Sequence, residues 1–311
     1  MNARVNLRVK ATKSVGRHHE LCLRSHTCGD TKLNLLELAK RHSKTFGGLT
    51  PAIWVISDLS ELSYDRLLTS ESEASPELIA KVAEMARRYR KGEPLQYILG
   101  HWSFRELDLV TDTRGLIPRP ETEMLPEFAI AMLGKKRGAI AADLGTGTGA
   151  IGLSLAASGR FAWVHMTDVS LATLSLASLN VDRNRSLLRS PVFMSRGSWF
   201  KALPDRRKAS LDLVVSNPPY IASGAIAKLD SRVLFEPRVA LDGGVSGMTC
   251  LLEILAGAPE YLKAGGAIVL EMGEEQGDSL SQVAESFGYR DVEIRQDATK
   301  RPRFLTARWP G

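Results

Sequence analysis

Several things are scarce in this chain of 311 residues, and each shortage excludes a class of protein. Three cysteines, Cys22, Cys28 and Cys250, are too few and too scattered for a disulfide framework, which fits a reducing compartment. No apolar run approaches the length that spans a bilayer. The glycine-rich segment at Gly145–Gly149 is not followed by Gly-Lys-Ser/Thr, so a phosphate-cradling P-loop is excluded, and its spacing departs from the dinucleotide fingerprint. Bulk positive charge is also missing from the body. The net charge is +6, but residues 1–30 hold Arg4, Arg8, Lys10, Lys13, Arg17 and Arg24 against only Glu20 and Asp30. The rest of the chain is therefore close to neutral, at +2, and lacks the electrostatic footprint of a nucleic-acid binder.

Residues 1–31 show no clear apolar period and read as a basic leader. Three interpretations are open: a disordered extension or misplaced start, an Arg-rich organelle transit peptide, and a metal site from His18, His19, Cys22, His26 and Cys28. The last has no usual zinc spacing, and no metal is expected. The cytoplasm is the expected location, or the mitochondrial matrix if the leader is a transit peptide.

What the chain does have is a change of period near residue 100. From Leu33 to about Arg90 the apolar spacing is helical, with Ser75 as N-cap and Pro76 at the first turn of a helix whose stripe is Leu78, Ile79, Val82, Met85 and Ala86. Trp102, Phe104, Leu107, Leu109 and Val110 predict a short hairpin. Beyond Asp143, apolar strands near 139–144, 162–167, 192–195, 211–216, 267–271, 290–295 and 303–309 alternate with helices near 150–158, 170–180, 248–263 and 276–287. Such alternation predicts a mostly parallel sheet covered on both faces. The loop before the final strand is too short for a helical crossover, so that strand is expected to run antiparallel. The predicted boundaries are 1–31 leader, 32–98 helical domain, 99–120 hairpin linker and 121–311 sheet domain.

Two motifs carry chemistry. Gly145-Thr146-Gly147-Thr148-Gly149 joins an apolar strand to a helix, a turn that lets backbone approach a nucleotide-like ligand. The next strand ends on Asp168, whose carboxylate can take two ribose hydroxyls, or can cap a helix. A glycine turn, a ribose carboxylate and a ligand without phosphates together point to S-adenosylmethionine as cofactor. Asn217-Pro218-Pro219-Tyr220 follows a buried strand. Asn217 offers one acceptor and one donor, the prolines fix φ and free the loop's carbonyls, and Tyr220 adds an aromatic wall. That corner suits a planar N–H₂ group; a simple Pro-rich turn is the plain alternative.

Several segments, in order, are those of a known family. Gly92-Glu93-Pro94-Leu95-Gln96-Tyr97-Ile98-Leu99-Gly100, Leu116-Ile117-Pro118-Arg119-Pro120-Glu121-Thr122-Glu123, the Asp143–Gly149 turn, Gly197-Ser198-Trp199-Phe200, Ser216–Ile221 and Phe235-Glu236-Pro237 make the chain resemble the HemK/PrmC family, from about Gly92 to Trp309. The resemblance implies a class I methyltransferase fold, with a seven-stranded, mostly parallel sheet, its last strand antiparallel, and a small N-terminal helical domain that docks the protein substrate. It implies N5-methylation of the glutamine in the Gly-Gly-Gln motif of peptide-chain release factors, an activity of translation termination. It also implies that Trp199 lies beside the adenine, with a core aromatic as the alternative, and that the segment near Arg119 borders the cofactor.

Cofactor contacts are thus expected from Gly145, Thr146, Gly147, Thr148, Gly149, Asp168, Trp199 and Asn217. Substrate contacts are expected from Asn217, Pro218, Pro219 and Tyr220. Asn217 and Tyr220 are the catalytic candidates: the Asn217 oxygen and the Pro218 carbonyl take the two amide protons while Tyr220 and Pro219 pack on the amide plane. Glu236 is expected to line the substrate mouth or to cap a loop. His101 and His165 read as structural, and Lys228, Arg232 and Arg238 as a solvated face. A monomer is expected. Two rivals stand beside this reading. One is an N-methyltransferase acting on an exocyclic amine of adenine or guanine, since the same corner would hold a flipped base. The other is a non-catalytic cofactor-binding protein.

Overall fold

A computed structural model describes residues 33–311; the three interpretations of the leader lie outside the described residues. Five helices come first: α1 Leu35–His42, α2 Leu49–Ser60, α3 Tyr64–Leu68, α4 Pro76–Arg90 and α5 Leu95–Leu99. The α1 start is fixed by a capping box between Asn34 and Glu37, and α4 starts on the Ser75 hydroxyl with Pro76 in its first turn. Leu38, Phe46, Ile53, Ile56, Leu67 and Val82 fill a core of their own between these helices. The short helices α3 and α5 have too few residues to show a period, so the sequence pattern passes over them.

A hairpin follows, β1 His101–Phe104 against β2 Leu107–Val110. Then come α6 Met124–Met132, β3 Ala139–Leu144, α7 Ala150–Ala157, β4 Phe161–Asp168, α8 Leu171–Arg183, β5 Val192–Arg196, β6 Leu211–Ser216, α9 Thr249–Tyr261, β7 Leu262–Glu271, α10 Gly277–Ser286, β8 Arg290–Gln296 and β9 Pro302–Arg308. The seven strands from β3 to β9 form one sheet in the order β5-β4-β3-β6-β7-β9-β8. Its first five members are parallel, and β9 lies antiparallel between β7 and β8. The expected reversed last strand is present, inserted rather than added at the edge. Two apolar cores cover the sheet: one with Leu125, Leu153 and Ala177, the other with Leu251, Leu255 and Leu280. β7 begins five residues earlier than the apolar run indicates, because Lys263, Gly265 and Gly266 interrupt the pattern while the backbone still pairs at Leu211 and Leu262.

The hairpin is more than a tether. Asn180 of α8 and Asn184, the C-cap of that helix, both buried, reach the hairpin's outer edge with their side-chain amides. Asn180 accepts from the Val110 N–H at 2.6 Å and donates to the Val110 carbonyl at 3.1 Å. Asn184 does the same for Asp108, at 3.1 and 2.9 Å. The match is geometric: four residues of helix rise about 6 Å, and two residues of strand rise about 6.8 Å. Asn180 also donates to the Thr148 carbonyl at 2.9 Å, in the glycine turn. On the other side, His101 is hydrogen-bonded to Asp58 of α2 at 2.6 Å and to Asp108 at 2.7 Å, the structural role expected of it.

Replacing Asn180 strands three backbone groups, those of Val110 partly buried and that of Thr148 buried. Asn180→Ala should lower the unfolding free energy by about 3 kcal/mol. Urea denaturation checks this, and a loss below about 1 kcal/mol would mean that the hairpin does not rely on the amide.

Candidate active site

The carboxyl ends of β3, β4, β5 and β6 lie along one edge of the sheet, where open α/β folds hold their ligands. A cavity of about 610 Å³ opens there. Gly145, Thr146, Gly147, Thr148, Asp168, Trp199, Asn217 and Pro219 line it. Gly149 sits behind the wall as the N-cap of α7, with φ +89°. Pro218 is buried beneath the loop surface.

The glycine turn is held from below by Asp143. One of its carboxylate oxygens accepts from the Thr146 hydroxyl at 2.6 Å and the Gly152 N–H at 2.9 Å. Asp143 is fully buried, and that burial pushes its carboxyl up to about 7. That Asp143 holds the turn from below is not legible in the sequence, since a polar residue at a strand end carries no mark of a buried partner. Gly147 has φ +57°, and a Cβ there would meet nothing within 4 Å, so this backbone faces open cavity. Gly145, at φ +69°, is pressed by the Trp199 ring, which lies 3.1 Å from where a Cβ would stand.

Asp168 takes the Gly147 N–H at 3.2 Å on one oxygen and the Ser170 N–H at 2.9 Å on the other. Burial raises its pKa, while these amides, with that of Val169, oppose the rise. It does not cap α8, as a carboxylate before a helix could; Ser170 does, accepting from the Thr173 N–H at 3.2 Å. Trp199 sits at φ +46°, a conformation unusual for a bulky residue and invisible to pattern reading. Its indole N–H donates to Glu253 of α9 at 2.7 Å, so the ring is pinned at the cavity wall.

At the end of β6 the Asn217 amide nitrogen donates to the Thr122 hydroxyl oxygen at 3.3 Å. Among the described residues the Asn217 side-chain oxygen has no such partner, and the residue lines the cavity. Tyr220 packs against the core, with its hydroxyl 3.2 Å from Glu271, and its pKa is raised by burial and by that carboxylate. The loop is gripped from behind. A Cβ on Gly243 would stand 2.8 Å from the Pro219 carbonyl oxygen and the Tyr220 Cα, so only glycine fits.

Two segments recognised separately in the sequence turn out to be partners. Glu236 is buried, accepting from the Ile117 N–H at 3.0 Å and from Arg119 at 2.5 Å. It therefore anchors the Leu116–Glu123 segment, while its neighbours Pro237, Arg238 and Val239 reach the cavity. The partners stand 119 and 117 positions apart, which hides the link from any local reading. His165 bonds to Ser195 within the sheet, as a structural residue would. Arg232 is stacked over the Tyr89 ring at 4.4 Å and is thus more than a solvated charge.

The donor set fits an adenosine-type ligand without phosphates. Three arginines line the cavity, and each is already paired: Arg114 with Asp112, Arg119 with Glu236 and Arg238 with Asp242. The acids Asp168 and Glu253 remain at the wall, suited to hydroxyls and to a cationic ligand. The buried Asp143 gives a test of the turn's support. In the folded protein it holds its proton up to about pH 7, whereas an unfolded chain releases it near pH ~4. Between these values the folded state binds more protons, so this residue's contribution to stability is lost as pH rises. The stability of Asp143→Asn relative to wild type should therefore improve from pH ~4 to ~7, as measured by urea denaturation across that window.

Comparison with known proteins agrees with this geometry. Residues 124–244 match the family profile described as Methyltransferase small domain, and residues 51–100 match the PrmC N-terminal domain. The likeness thus reaches well into the helical region, beyond the motifs that begin at Gly92. The release factor glutamine methyltransferase of Moorella thermoacetica is 37% identical over 79% of this chain and 86% of its own length. That of Neisseria gonorrhoeae is 36% identical over 77% and 85%. Among solved structures, the hMettl16 catalytic domain in complex with MAT2A 3′UTR hairpin 1 superposes with a TM-score of 0.54 at 18% identity, over 74% of this chain and 80% of that one, a likeness of fold alone. With identity of this order over most of both chains, this protein belongs to the release factor glutamine methyltransferase family.

Proposed function

We propose that the protein moves a methyl group from S-adenosylmethionine to the side-chain amide nitrogen of the glutamine in the Gly-Gly-Gln motif of a peptide-chain release factor. The observation that carries the reading is that Asn217 lines a cavity shared with the glycine turn, its side-chain nitrogen engaged by Thr122 and its oxygen left without a protein partner among the described residues. Gly145–Gly149, Asp168 and Trp199 would hold the cofactor, with Asp168 on the ribose hydroxyls and Trp199 beside the adenine. When bound, S-adenosylmethionine supplies a methyl group activated by its sulfonium.

A glutamine amide nitrogen is a weak nucleophile, because its lone pair is delocalised into the carbonyl. The Asn217 oxygen and the Pro218 carbonyl take its two protons, which aims the lone pair and stabilises charge growing on nitrogen. The surplus proton then leaves to water. Tyr220 stiffens the loop from the core side, and Pro219 packs on the amide. The helical domain docks the release factor as partner, and the enzyme acts as a monomer in the cytoplasm. Among the described residues no helix is long and apolar enough to cross a membrane. The paired arginines at the cavity weigh against a nucleic-acid amine as substrate.

Labelled methyl transfer should appear on release factor and not on DNA or RNA. Asn217→Ala should lower the rate by about 10²–10³-fold, as for loss of one aligned polar contact to developing charge. Label on nucleic acid alone would overturn the substrate, and an undiminished rate in the variant would overturn the role of Asn217.

A further inference from the structure

The carboxylate that meets the Tyr220 hydroxyl also reaches the segment beside Asn217. Glu271 ends β7 and is fully buried. Its two oxygens meet two hydroxyls: Thr122 at 2.7 Å and Tyr220 at 3.2 Å. We propose that Glu271 is a positioning residue that acts through the Thr122 hydroxyl to keep the Asn217 side-chain oxygen turned toward the cavity. The proposal rests on the reading of Asn217 given above and deepens it.

The direction of each hydrogen bond follows from the number of donors and acceptors present. An ionised carboxylate only accepts, so both hydroxyls donate to it. Thr122 has one proton, and Glu271 takes it. The Thr122 oxygen is then an acceptor toward Asn217, and the part of the amide that can satisfy it is the N–H₂. The Asn217 carbonyl oxygen is left for the cavity. Without the carboxylate, the Thr122 hydroxyl is free to donate to the Asn217 oxygen instead. The amide could then turn over and present N–H₂ to an incoming N–H₂, which is repulsive. An asparagine amide has two nearly equal shapes, and the buried carboxylate selects one of them.

The same counting makes the relay sensitive to protonation. The groups facing Glu271 are Thr122 and Glu121 from the segment before α6, Tyr220 from the loop after β6, and Arg303 from β9. Burial and the Glu121 charge raise its pKa to about 7, against the two hydroxyl hydrogen bonds and Arg303. Protonated, Glu271 can itself donate to Thr122, and the direction of the chain is lost. The productive arrangement is therefore present above that pH and fades below it.

The test reads the amide directly and the rate separately. In the wild type, the side-chain ¹⁵N–H₂ signal of Asn217 should shift with pH, with a midpoint near 7. Thr122→Val, which keeps shape but removes the hydroxyl, should abolish that shift, and Thr122→Ser should restore it. In methyl transfer to release factor, Glu271→Gln and Thr122→Val should each lower kcat by about 10–100-fold with KM little changed, as for a misaligned contact. The double variant should be no worse than either alone, because both break one chain. Cofactor binding by equilibrium dialysis should stay within about twofold in each variant, which separates misalignment from collapse of the site. An Asn217 signal that ignores pH, a shift that survives in Thr122→Val, or additive losses in the double variant would overturn the proposal. A wild type that shows the shift but methylates only nucleic acid would support the relay while striking the substrate reading.

Discussion

Everything at this site depends on β6 being immobile. All six of its residues are buried, and it sits between β3 and β7 with an apolar core on each face. The Ser216 hydroxyl ties its last turn to the Leu144 carbonyl at 2.6 Å, at the end of β3. The chain therefore leaves the sheet at one place and in one direction. Two prolines then continue that rigidity outward, and Gly243 closes on the loop from behind. Methyl transfer needs atoms aligned to fractions of an ångström, and here alignment comes from a strand that cannot shift without opening both cores.

Around that fixed point, buried carboxylates hold the parts that arrive from far along the chain. Asp143 supports the glycine turn, Glu236 holds Arg119, and Glu271 meets Thr122. Arg119 and Thr122 lie three residues apart, so two acids, Glu236 from a loop and Glu271 from the end of β7, grip a single short segment against the cavity. Burying acids lowers stability, and an apolar core would fold more easily. These acids stand where backbone and hydroxyl donors need fixed directions, which apolar packing cannot provide.

The fold was legible in the sequence because periodicity reports burial. Strands buried on both faces, such as Leu211–Ser216, and helices with one apolar stripe, such as Pro76–Arg90, need only local pattern to be seen. The glycine turn and the Asn217 corner were legible because unusual backbone demands unusual residues. The pairing of distant polar groups was not. Thr122 and Glu271 stand 149 residues apart, and nothing near either names the other. Trp199 could be placed beside the turn, but its left-handed backbone and its bond to Glu253 arise from tertiary packing. The roles of Asn180 and Asn184 were not legible, because a helical period cannot tell an exposed amide from a buried one aimed at a strand.

Those two asparagines have one more effect. A two-stranded ribbon normally leaves the backbone of both outer edges open, ready to pair with a strand of another molecule. Here α8 stands where a third strand would be, and its amides take the N–H and carbonyl groups of Asp108 and Val110. The edge of β2 is thereby closed to strand exchange at Asp108 and Val110.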